Sequence, residues 1–295
     1  MPMPSPVPTH HHDVYDAIDP TKKSLFVAGK TVLITGGGQG IGVSFAKAFS
    51  LAGASNIVLL GRKLQTLNET KAAVETLSTN KSKLFTYQAD ITDKATIDST
   101  FAEVASKIGA IDIYIANAGY LAAPAPVAVA PIADFETSLS INLTGQLIAA
   151  QAFLKHKAPS ATLVAINTGA AHIYYMGPMP AYVASKAGAA RLMDQLAAEN
   201  LDVRVFNLHP GMIKSEMSEK AGMSAMASDA PELPAAVSVW LSSPEADFLR
   251  GRFLWSNWDV EELKAMKGEI EKSEAMFQLN LVGWPFGHSH KAPWE

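Results

Sequence analysis

Short apolar runs alternate with amphipathic stretches along most of this chain. Thr31–Thr35 is a run of β-branched and apolar residues, and a glycine cluster follows it before apolar residues recur at i, i+4 and i+8 spacing as Ile41, Phe45 and Phe49. Continuous apolar runs of this length are typical of parallel strands covered on both faces. Apolar residues at i, i+4 and i+8 lie on one face of a helix. This stretch therefore predicts a strand, a turn and a helix.

The same alternation continues to about residue 260. It predicts further strands over 56–60, 83–89, 111–116, 162–166, 203–208 and 252–255, and further helices over 63–79, 94–107, 132–156, 181–200 and 234–241. Strands that alternate with helices imply βαβ units and a parallel sheet. We expect a single α/β domain, a Rossmann-type doubly wound parallel sheet with helices on both faces.

The two ends of the chain lie outside this alternation. Residues 1–27 are rich in proline and carry three consecutive histidines, His10, His11 and His12. Such a tract could bind a metal, but a Pro-rich leader of this kind is typical of a tail. We expect a partly disordered N-terminal extension over 1–27, a catalytic domain over 28–261 and a C-terminal extension over 262–295.

Composition narrows the classes of function. The 295 residues are 48% hydrophobic and 18% charged, which allows a large buried core. The net charge is −4 and no dense Lys/Arg run is present, so a nucleic-acid partner is not expected. The absence of cysteine excludes disulfides, thiolate metal sites and a cysteine nucleophile. With no secretory pattern and no apolar run long enough to span a bilayer, we expect a cytoplasmic protein without a membrane partner or a metal.

The glycine cluster after the first predicted strand is the first functional motif. Glycines let the backbone turn sharply and approach a pyrophosphate, whose charge the N–H groups of the following helix receive. The spacing of Gly36, Gly40 and Gly42 is not that of the strict GxGxxG fingerprint. It matches the TGxxxGxG pattern and so resembles the short-chain dehydrogenase/reductase family, in particular fungal-type members. A plain flexible turn is the alternative.

A phenol and an ammonium stand four residues apart in the motif Tyr182-Val183-Ala184-Ser185-Lys186, on one face of a predicted helix. A free tyrosine, with a pKa near 10, is a poor acid–base catalyst, and a nearby ammonium is expected to lower that pKa. The motif resembles the YxxxK of the same family. That resemblance implies that Tyr182 exchanges a proton with the substrate oxygen and that Lys186 also binds the nicotinamide ribose.

Two further catalytic residues come from the resemblance. Relatives carry a serine after the preceding strand, and aligning Gly169–His172 with them puts Thr168 in that place, whereas a register shift would put Gly169 or Ala170 there. Asn142 matches the family asparagine that kinks the long helix and holds a water in a proton relay.

The tip of the second predicted strand indicates which dinucleotide binds. A carboxylate there holds a ribose 2′-hydroxyl, whereas an arginine suits a 2′-phosphate. The chain reads Gly61-Arg62-Lys63 at this point, and a guanidinium can bind a phosphate with two parallel hydrogen bonds. NADP(H) is therefore the expected cofactor. The alternative is that Arg62 and Lys63 only begin a solvent-facing helix.

The resemblance implies more cofactor contacts and an assembly. Family members commonly form homodimers or homotetramers and cover the site with a lid, here at about 212–230. His209, beside the turn after the sixth strand, is expected to pack rather than act. The remaining cofactor contacts that the resemblance implies are Gly36, Gly38, Gln39, Gly40, Ile41, Asp90, Ile91, Asn117, Pro210, Gly211, Ile213 and Ser215.

Bulky residues near these motifs predict the substrate. Methionine adapts to irregular apolar shapes, and we expect a bulky, largely apolar ketone or alcohol, such as a polyketide- or terpenoid-like secondary metabolite. Packing against a neighbouring subunit is the alternative role. The residues expected to contact the substrate are Tyr174, Tyr175, Met176, Met212 and Met217.

Together these motifs predict an NADP(H)-dependent oxidoreductase that reduces a ketone by hydride transfer. Two alternatives stay open: a non-redox enzyme on the same frame (a dehydratase, epimerase or cyclase) and a non-catalytic dinucleotide sensor. The intact Tyr182 and Lys186 count against the sensor, and the missing serine keeps the non-redox enzyme open.

Overall fold

A seven-stranded sheet forms the centre of the protein, whose computed structural model describes residues 5–77 and 82–281. All neighbouring strands are parallel, and their order is β3-β2-β1-β4-β5-β6-β7. The strands are β1 Thr31–Thr35, β2 Asn56–Gly61, β3 Lys83–Gln88, β4 Ile111–Ala116, β5 Lys157–Ile166, β6 Arg204–His209 and β7 Phe253–Trp255. The order reverses at β1, so a crevice opens between the carboxyl ends of β1 and β4.

The helices within the described residues pack on the two faces of this sheet. They are α1 Ile41–Leu51, α2 Leu64–Leu77, α3 Lys94–Lys107, α4 Ile132–Leu139, α5 Gly145–His156, α6 Pro180–Glu199, α7 Glu216–Lys220, α8 Glu232–Leu241, α9 Val260–Ala265 and α10 Lys267–Lys272. None of these helices combines the length and the apolar character that a membrane span requires.

Alternate residues of β1 divide the core into two layers. Val32 and Ile34 lie in a cluster with Phe45 of α1 and Trp240 of α8, whereas Leu33 lies in a second cluster with helices α3, α5 and α6. Side chains of successive strand residues point to opposite faces, so a strand apolar at every position is buried on both. The expected Rossmann-type doubly wound sheet is confirmed.

The long helix expected over 132–156 is interrupted. Residues Ser140–Thr144 form a π-helical turn between α4 and α5. A π turn inserts one extra residue into the helical ladder and is frequent at functional sites. Its buried residue is Asn142. The helix expected over 63–79 is described only to Leu77, because residues 78–81 lie outside the described part of the chain.

Strand β5 begins at Lys157, five residues before the predicted start. The hydrophobic pattern does not predict this part of the strand, because the strand contains Pro159 and the exposed Ser160 here. The φ of Ser160 is +60°. The pairing of β4 with β5 shifts register between Ile111 and Ile113. An irregular, partly polar stretch of strand does not show the apolar run by which its neighbours are found.

The N-terminal extension differs from the expected loose tail. Val7, Ile18 and Leu25 are at most 3% exposed and belong to the same buried cluster as Leu263 and Ile270 near the other end of the chain. Within residues 5–281, the hydrophobic core therefore crosses both of the expected domain boundaries. These long-range contacts leave no periodic signal in the sequence.

The C-terminal segment is fastened by a buried arginine. Arg252, 8% exposed, donates hydrogen bonds to the backbone carbonyl oxygens of Met276, Ile270 and Ser273 at 2.7–3.1 Å. Phe253 N donates to Phe277 O at 2.7 Å, which continues the contact to the start of β7. The segment after α10 is thus part of the folded body.

The aromatic packing under β4 leads to a stability prediction. Phe153 of α5 is fully buried, and its ring centroid lies 5.4 Å from that of Tyr114. We expect Phe153→Ala to lower the free energy of unfolding by about 3–5 kcal/mol, because it leaves a cavity that the core fills only in part. Chemical denaturation measures this change. Gln151→Ala, at an exposed position of the same helix, should change it by less than about 0.5 kcal/mol, and equal effects would contradict the prediction.

Candidate active site

The glycine turn after β1 has a backbone that only glycine tolerates. Gly36 has φ +67°, and a Cβ on it would lie 2.9 Å from Asn117 Nδ2. A Cβ on Gly42, at the start of α1, would lie 2.1 Å from Gly36 O. The helix therefore begins in direct backbone contact with the turn, and the motif is more than a flexible connection.

The start of α1 presents backbone donors that lack partners. Within the described residues, the N–H groups of Gly38, Gln39, Gly40 and Ile41 donate to no acceptor, and no side chain caps the helix. A Cβ on Gly40, whose φ is +54°, would meet nothing within 4 Å, so open space lies in front of this backbone. Free N–H groups at a helix N-terminus form a binding site for an anion such as a pyrophosphate.

Asn117 braces this turn from the next strand. Its Nδ2 donates to Thr35 O at 3.0 Å and to Gly36 O at 3.1 Å, and its backbone N–H donates to Thr35 Oγ1 at 3.1 Å. The side chain thus joins the ends of β1 and β4, and contact of Asn117 with a cofactor stays a prediction. Its geometry fixes the floor of the crevice.

Arg62 lies at the tip of β2 with its side chain exposed to solvent. Among the described residues its guanidinium forms no hydrogen bond and no ion pair; only its carbonyl is used, as an acceptor from Gln88 Nε2 at 2.9 Å. Five guanidinium donors are therefore available for an external anion.

Two other predicted cofactor residues have local roles. Asp90 Oδ1 accepts hydrogen bonds from Thr92 N at 2.9 Å and Thr92 Oγ1 at 2.7 Å, which closes its own turn. Ser215 Oγ accepts from Ser218 N at 3.1 Å and so caps helix α7. Ser218 Oγ in turn accepts from Ser215 N at 2.8 Å, so the two serines cap the helix reciprocally. Contacts of either residue with a cofactor stay a prediction.

Three polar groups converge at the carboxyl end of β5. Lys186 Nζ, on α6, donates to Ile166 O at 2.7 Å. One helical turn earlier, the phenol of Tyr182 lies near the side chain of Thr168, two residues beyond the strand, and this hydroxyl acts to lower the pKa of the phenol. The strand end therefore gathers the phenol, the hydroxyl and the ammonium that the motifs predict as catalytic groups.

The register around Thr168 follows from how its neighbours pack. A Cβ on Gly169 would lie 2.9 Å from the Trp255 ring, and Ala170 is 3% exposed. Both neighbours face the core, while Thr168 is partly exposed and its side chain lies near enough to the phenol to influence its pKa. Of the three positions, Thr168 is the one whose side chain meets Tyr182.

Burial sets the protonation of this site. It raises the pKa of Tyr182 to about 12, against the opposite effect of the Thr168 hydroxyl. It also lowers the pKa of Lys186 to about 8. The expected lowering of the tyrosine pKa by the ammonium is not found in this structure, because burial is the largest cause of the shift and Lys186 Nζ is bonded to Ile166 O. At neutral pH, Tyr182 therefore carries a proton that it can donate.

Asn142 lies in the π turn and connects two sides of the site. Its Oδ1 accepts from Tyr120 N at 2.8 Å, and its Nδ2 donates to Tyr120 O at 2.7 Å and to Ser185 Oγ at 3.0 Å. The amide therefore holds the loop after β4 against helix α6. Its water-relay role stays a prediction.

His209 packs rather than acts. It is 3% exposed, and its ring centroid lies 4.5 Å from that of Trp255. Burial lowers its pKa to about 3, with nearby histidines as a smaller cause. It is therefore neutral at physiological pH, as its expected packing role requires.

A shallow, mostly apolar cleft opens beside Tyr182. Sequence reasoning missed most of its lining, because short alanine-rich loops resemble ordinary connections. Apart from the tyrosine, the lining includes Ala122, Ala123, Ala125, Ala130, Asp134 and Met179.

The residues expected to contact substrate lie at varied depths. Tyr174 is fully exposed and Tyr175 is 69% exposed, so both lie on the surface rather than in the cleft. Met217 is 37% exposed, and Met176 and Met212 are partly buried.

The expected lid contains the short helix α7 and touches the loop after β4. Lys220 Nζ donates to Leu121 O at 2.7 Å and lies 4.8 Å from the centroid of the Tyr120 ring. A cation over an aromatic face is attracted by the ring, so two contacts hold the lid helix at the mouth of the site.

Comparison with known proteins agrees with this fold and shows the family. Residues 30–225 match the family described as short chain dehydrogenase, and the chain belongs to that family. It is an enzyme of the short-chain dehydrogenase/reductase type. It is 34% identical over 286 residues to a short chain dehydrogenase/reductase of Claviceps purpurea, with 95% of each chain covered. It is 31% identical over 281 residues to short chain dehydrogenase/reductase AacuD of Aspergillus aculeatus, with 94% of this chain and 96% of the relative covered.

Solved structures share the fold. A short chain dehydrogenase from Burkholderia cenocepacia in complex with NADP superposes with a TM-score of 0.71 at 24% identity, covering 78% of this chain and 96% of that one. Pseudomonas aeruginosa RhlG, in an NADP active-site complex, gives 0.72 at 21% identity, covering 79% and 97%.

The buried ammonium of Lys186 leads to a prediction about pH. Its pKa is about 8 in the folded protein and 10.5 ordinarily, so between these values the unfolded chain binds more protons and stability rises with pH. Relative to Lys186→Met, the wild-type free energy of unfolding should rise by on the order of 3 kcal/mol across pH 8 to 10.5. Urea denaturation of both proteins at several pH values measures the difference, and parallel pH profiles would show that Lys186 titrates normally.

Proposed function

We propose that this enzyme is an NADP(H)-dependent oxidoreductase that reduces the ketone of a bulky, largely apolar small molecule. The observation that supports it most is the meeting of Tyr182, Thr168 and Lys186 at the end of β5. A proton donor, a second hydroxyl and a cation at one point suit a carbonyl oxygen that gains negative charge.

The residues of the chain supply the proton and the orientation. The Thr168 hydroxyl and the Tyr182 phenol hydrogen-bond to the ketone oxygen, and the phenol then gives its proton to that oxygen as the alcohol forms. The raised pKa of Tyr182 keeps this proton in place until the oxygen becomes basic. Lys186, charged below about pH 8, places a cation one helical turn from the phenol at the end of β5.

The turn after β1 suits a dinucleotide. The four N–H groups from Gly38 to Ile41, which find no acceptor in residues 5–77 and 82–281, fit the charge of a pyrophosphate, and the open space before Gly40 leaves room for it. When bound, the reduced nicotinamide supplies the hydride that the carbonyl carbon receives.

Arg62 supports the choice of NADP(H). Its exposed guanidinium, without a partner among the described residues, is suited to a 2′-phosphate, and two neighbours of the same fold were solved with NADP. Lys63 begins the next turn beside it and adds positive charge.

The cleft supports an apolar substrate. Its alanine and methionine lining offers no strong hydrogen-bond donors apart from the catalytic groups, so affinity depends on apolar contact. Asp134 is the one carboxylate along this lining.

Removing the Arg62 guanidinium should weaken the binding of NADPH but not that of NADH. We expect Arg62→Ala to raise the Kd for NADPH by roughly 10- to 100-fold, the value of one or two charged hydrogen bonds, and to leave the Kd for NADH unchanged. Titrations followed by thermal shift measure both constants. Lys71→Ala, farther along α2, is the matched loss of positive charge and should alter neither. An equal loss of affinity for both dinucleotides would remove Arg62 from cofactor selection.

Replacing the catalytic hydroxyls should stop reduction. With a panel of bulky ketones, Tyr182→Phe should lower kcat by on the order of 10²–10⁴-fold, since it removes the general acid. The assay follows the loss of NADPH absorbance. Thr168→Ser should retain most of the activity, whereas Thr168→Val, of equal shape, should lose at least about 10-fold.

The same assay distinguishes the alternatives. Unchanged turnover by Tyr182→Phe would exclude the phenol as the proton donor. Dinucleotide binding without NADPH consumption would instead favour a non-redox enzyme or a sensor.

A further inference from the structure

Residues Thr9–His12, here called the arm, lie along the segment that follows β7. His10 forms an antiparallel bridge with Trp258. His11 N donates to Asn257 O at 2.8 Å, and Asn257 Nδ2 donates back to His11 O at 2.9 Å. The arm therefore adds a short strand-like layer to the body of the enzyme, at a defined register.

Side chains fix the arm in this register. His11 Nε2 bonds to Asp259 Oδ2 at 2.8 Å, and its ring stacks on that of Tyr15 at 3.5 Å. Thr9 Oγ1 donates to Glu262 Oε1 at 2.6 Å. These contacts tie the arm to the start of α9, so the position of the next histidine is determined.

The third histidine reaches the base of the lid. His12 Nδ1 lies 2.5 Å from Asp229 Oδ1, and Ala230 N donates to His12 O at 2.8 Å. The Asp229 side chain is only 3% exposed, and a buried carboxylate requires such partners. The arm thus supplies one of the polar partners that stabilise this buried carboxylate.

The other oxygen of Asp229 holds the turn after β6. Its Oδ2 accepts from Met212 N at 2.5 Å, while Asp229 N donates to Met212 O at 3.1 Å. Ile213 and Asp229 also form a parallel bridge, which joins the entrance and the exit of the lid. One carboxylate therefore connects the arm, the lid and the turn.

The fit under the turn is tight. Gly211 has φ +97°, and a Cβ on it would lie 2.5 Å from Asp229 Oδ2. From the other side, Ser256 N and Oγ both donate to His209 O, at 2.9 and 3.0 Å. Ser256 belongs to the stretch on which the arm lies, so the turn is supported twice by the same assembly.

We infer that His12 and Asp229 are positioning residues, through which the N-terminal arm holds the turn Pro210–Ser215 in place for hydride transfer. The kinetic consequence rests on the proposed function and on the family resemblance, which implies that this turn contacts the carboxamide of the nicotinamide. Most dinucleotide affinity comes from the pyrophosphate and 2′-phosphate contacts at Gly38–Ile41 and Arg62. Loosening the turn therefore lowers the rate of transfer more than it weakens binding.

The test compares full-length variants at residue 12. His12→Ala removes the donor, and His12→Asn keeps an amide nitrogen near the place of Nδ1. We expect His12→Ala to lower kcat by about 10-fold to 100-fold while the KM for NADPH changes by less than about 3-fold. His12→Asn should restore most of kcat. Asp13→Ala, at an exposed position next to the arm, is the matched control. It should have the same kcat and the same KM for NADPH as wild type.

A second measurement does not depend on activity. Hydrogen exchange of the Met212 amide, without cofactor, should be at least about 10-fold faster in His12→Ala and in Asp229→Ala than in wild type. Unchanged exchange would overturn the inference, and so would faster exchange with unchanged kcat or a loss of kcat that His12→Asn does not restore. If wild type consumes no NADPH, the proposed function fails, while the exchange result still decides whether the arm holds the turn.

Discussion

The hydrogen bond from Lys186 Nζ to Ile166 O fixes the relation between helix α6 and strand β5. A buried ammonium must find an acceptor, and the last carbonyl of the strand is free to accept because the sheet ladder ends there. Tyr182, one turn earlier on the same helix, is thereby brought against Thr168. Catalytic geometry in this enzyme is thus a consequence of satisfying one buried charge.

Two asparagines extend this constraint across the crevice. Asn117 ties the ends of β1 and β4, and Asn142 ties the loop after β4 to α6 through Ser185. Both side-chain amides form hydrogen bonds with backbone groups, and Asn142 also bonds to the Ser185 hydroxyl. These bonds restrict the motion of the segments on either side of the crevice. An amide suits this task because it donates and accepts at once and carries no charge to bury.

The sequence predicts most of the fold for a simple reason. Strands buried on both faces must be apolar throughout, and their helices must be apolar on one face, so both patterns are local. The glycine turn, Tyr182, Lys186 and Thr168 could be found in the same way, from fixed spacing and a family resemblance. The polar start of β5 could not, since Pro159 and Ser160 break the pattern.

What the sequence could not predict depends on contacts between distant residues. The pKa of Tyr182 depends on how deeply its hydroxyl is buried, and the cleft depends on where alanines of a loop meet Met179. Each of the three histidines of the arm has a partner more than 200 positions away in the chain. His10 bridges to Trp258, His11 bonds to Asp259 and His12 bonds to Asp229. No spacing within the leader indicates those partners.

Arg252 shows how such distant contacts affect the making of the protein. Its guanidinium is buried against three carbonyl oxygens that the ribosome adds 18 to 24 residues later. Until those residues have been made, the guanidinium has none of these acceptors and stays hydrated at the end of the sheet. The side of the protein beside β7 is therefore closed only once the chain has been synthesised as far as residue 276.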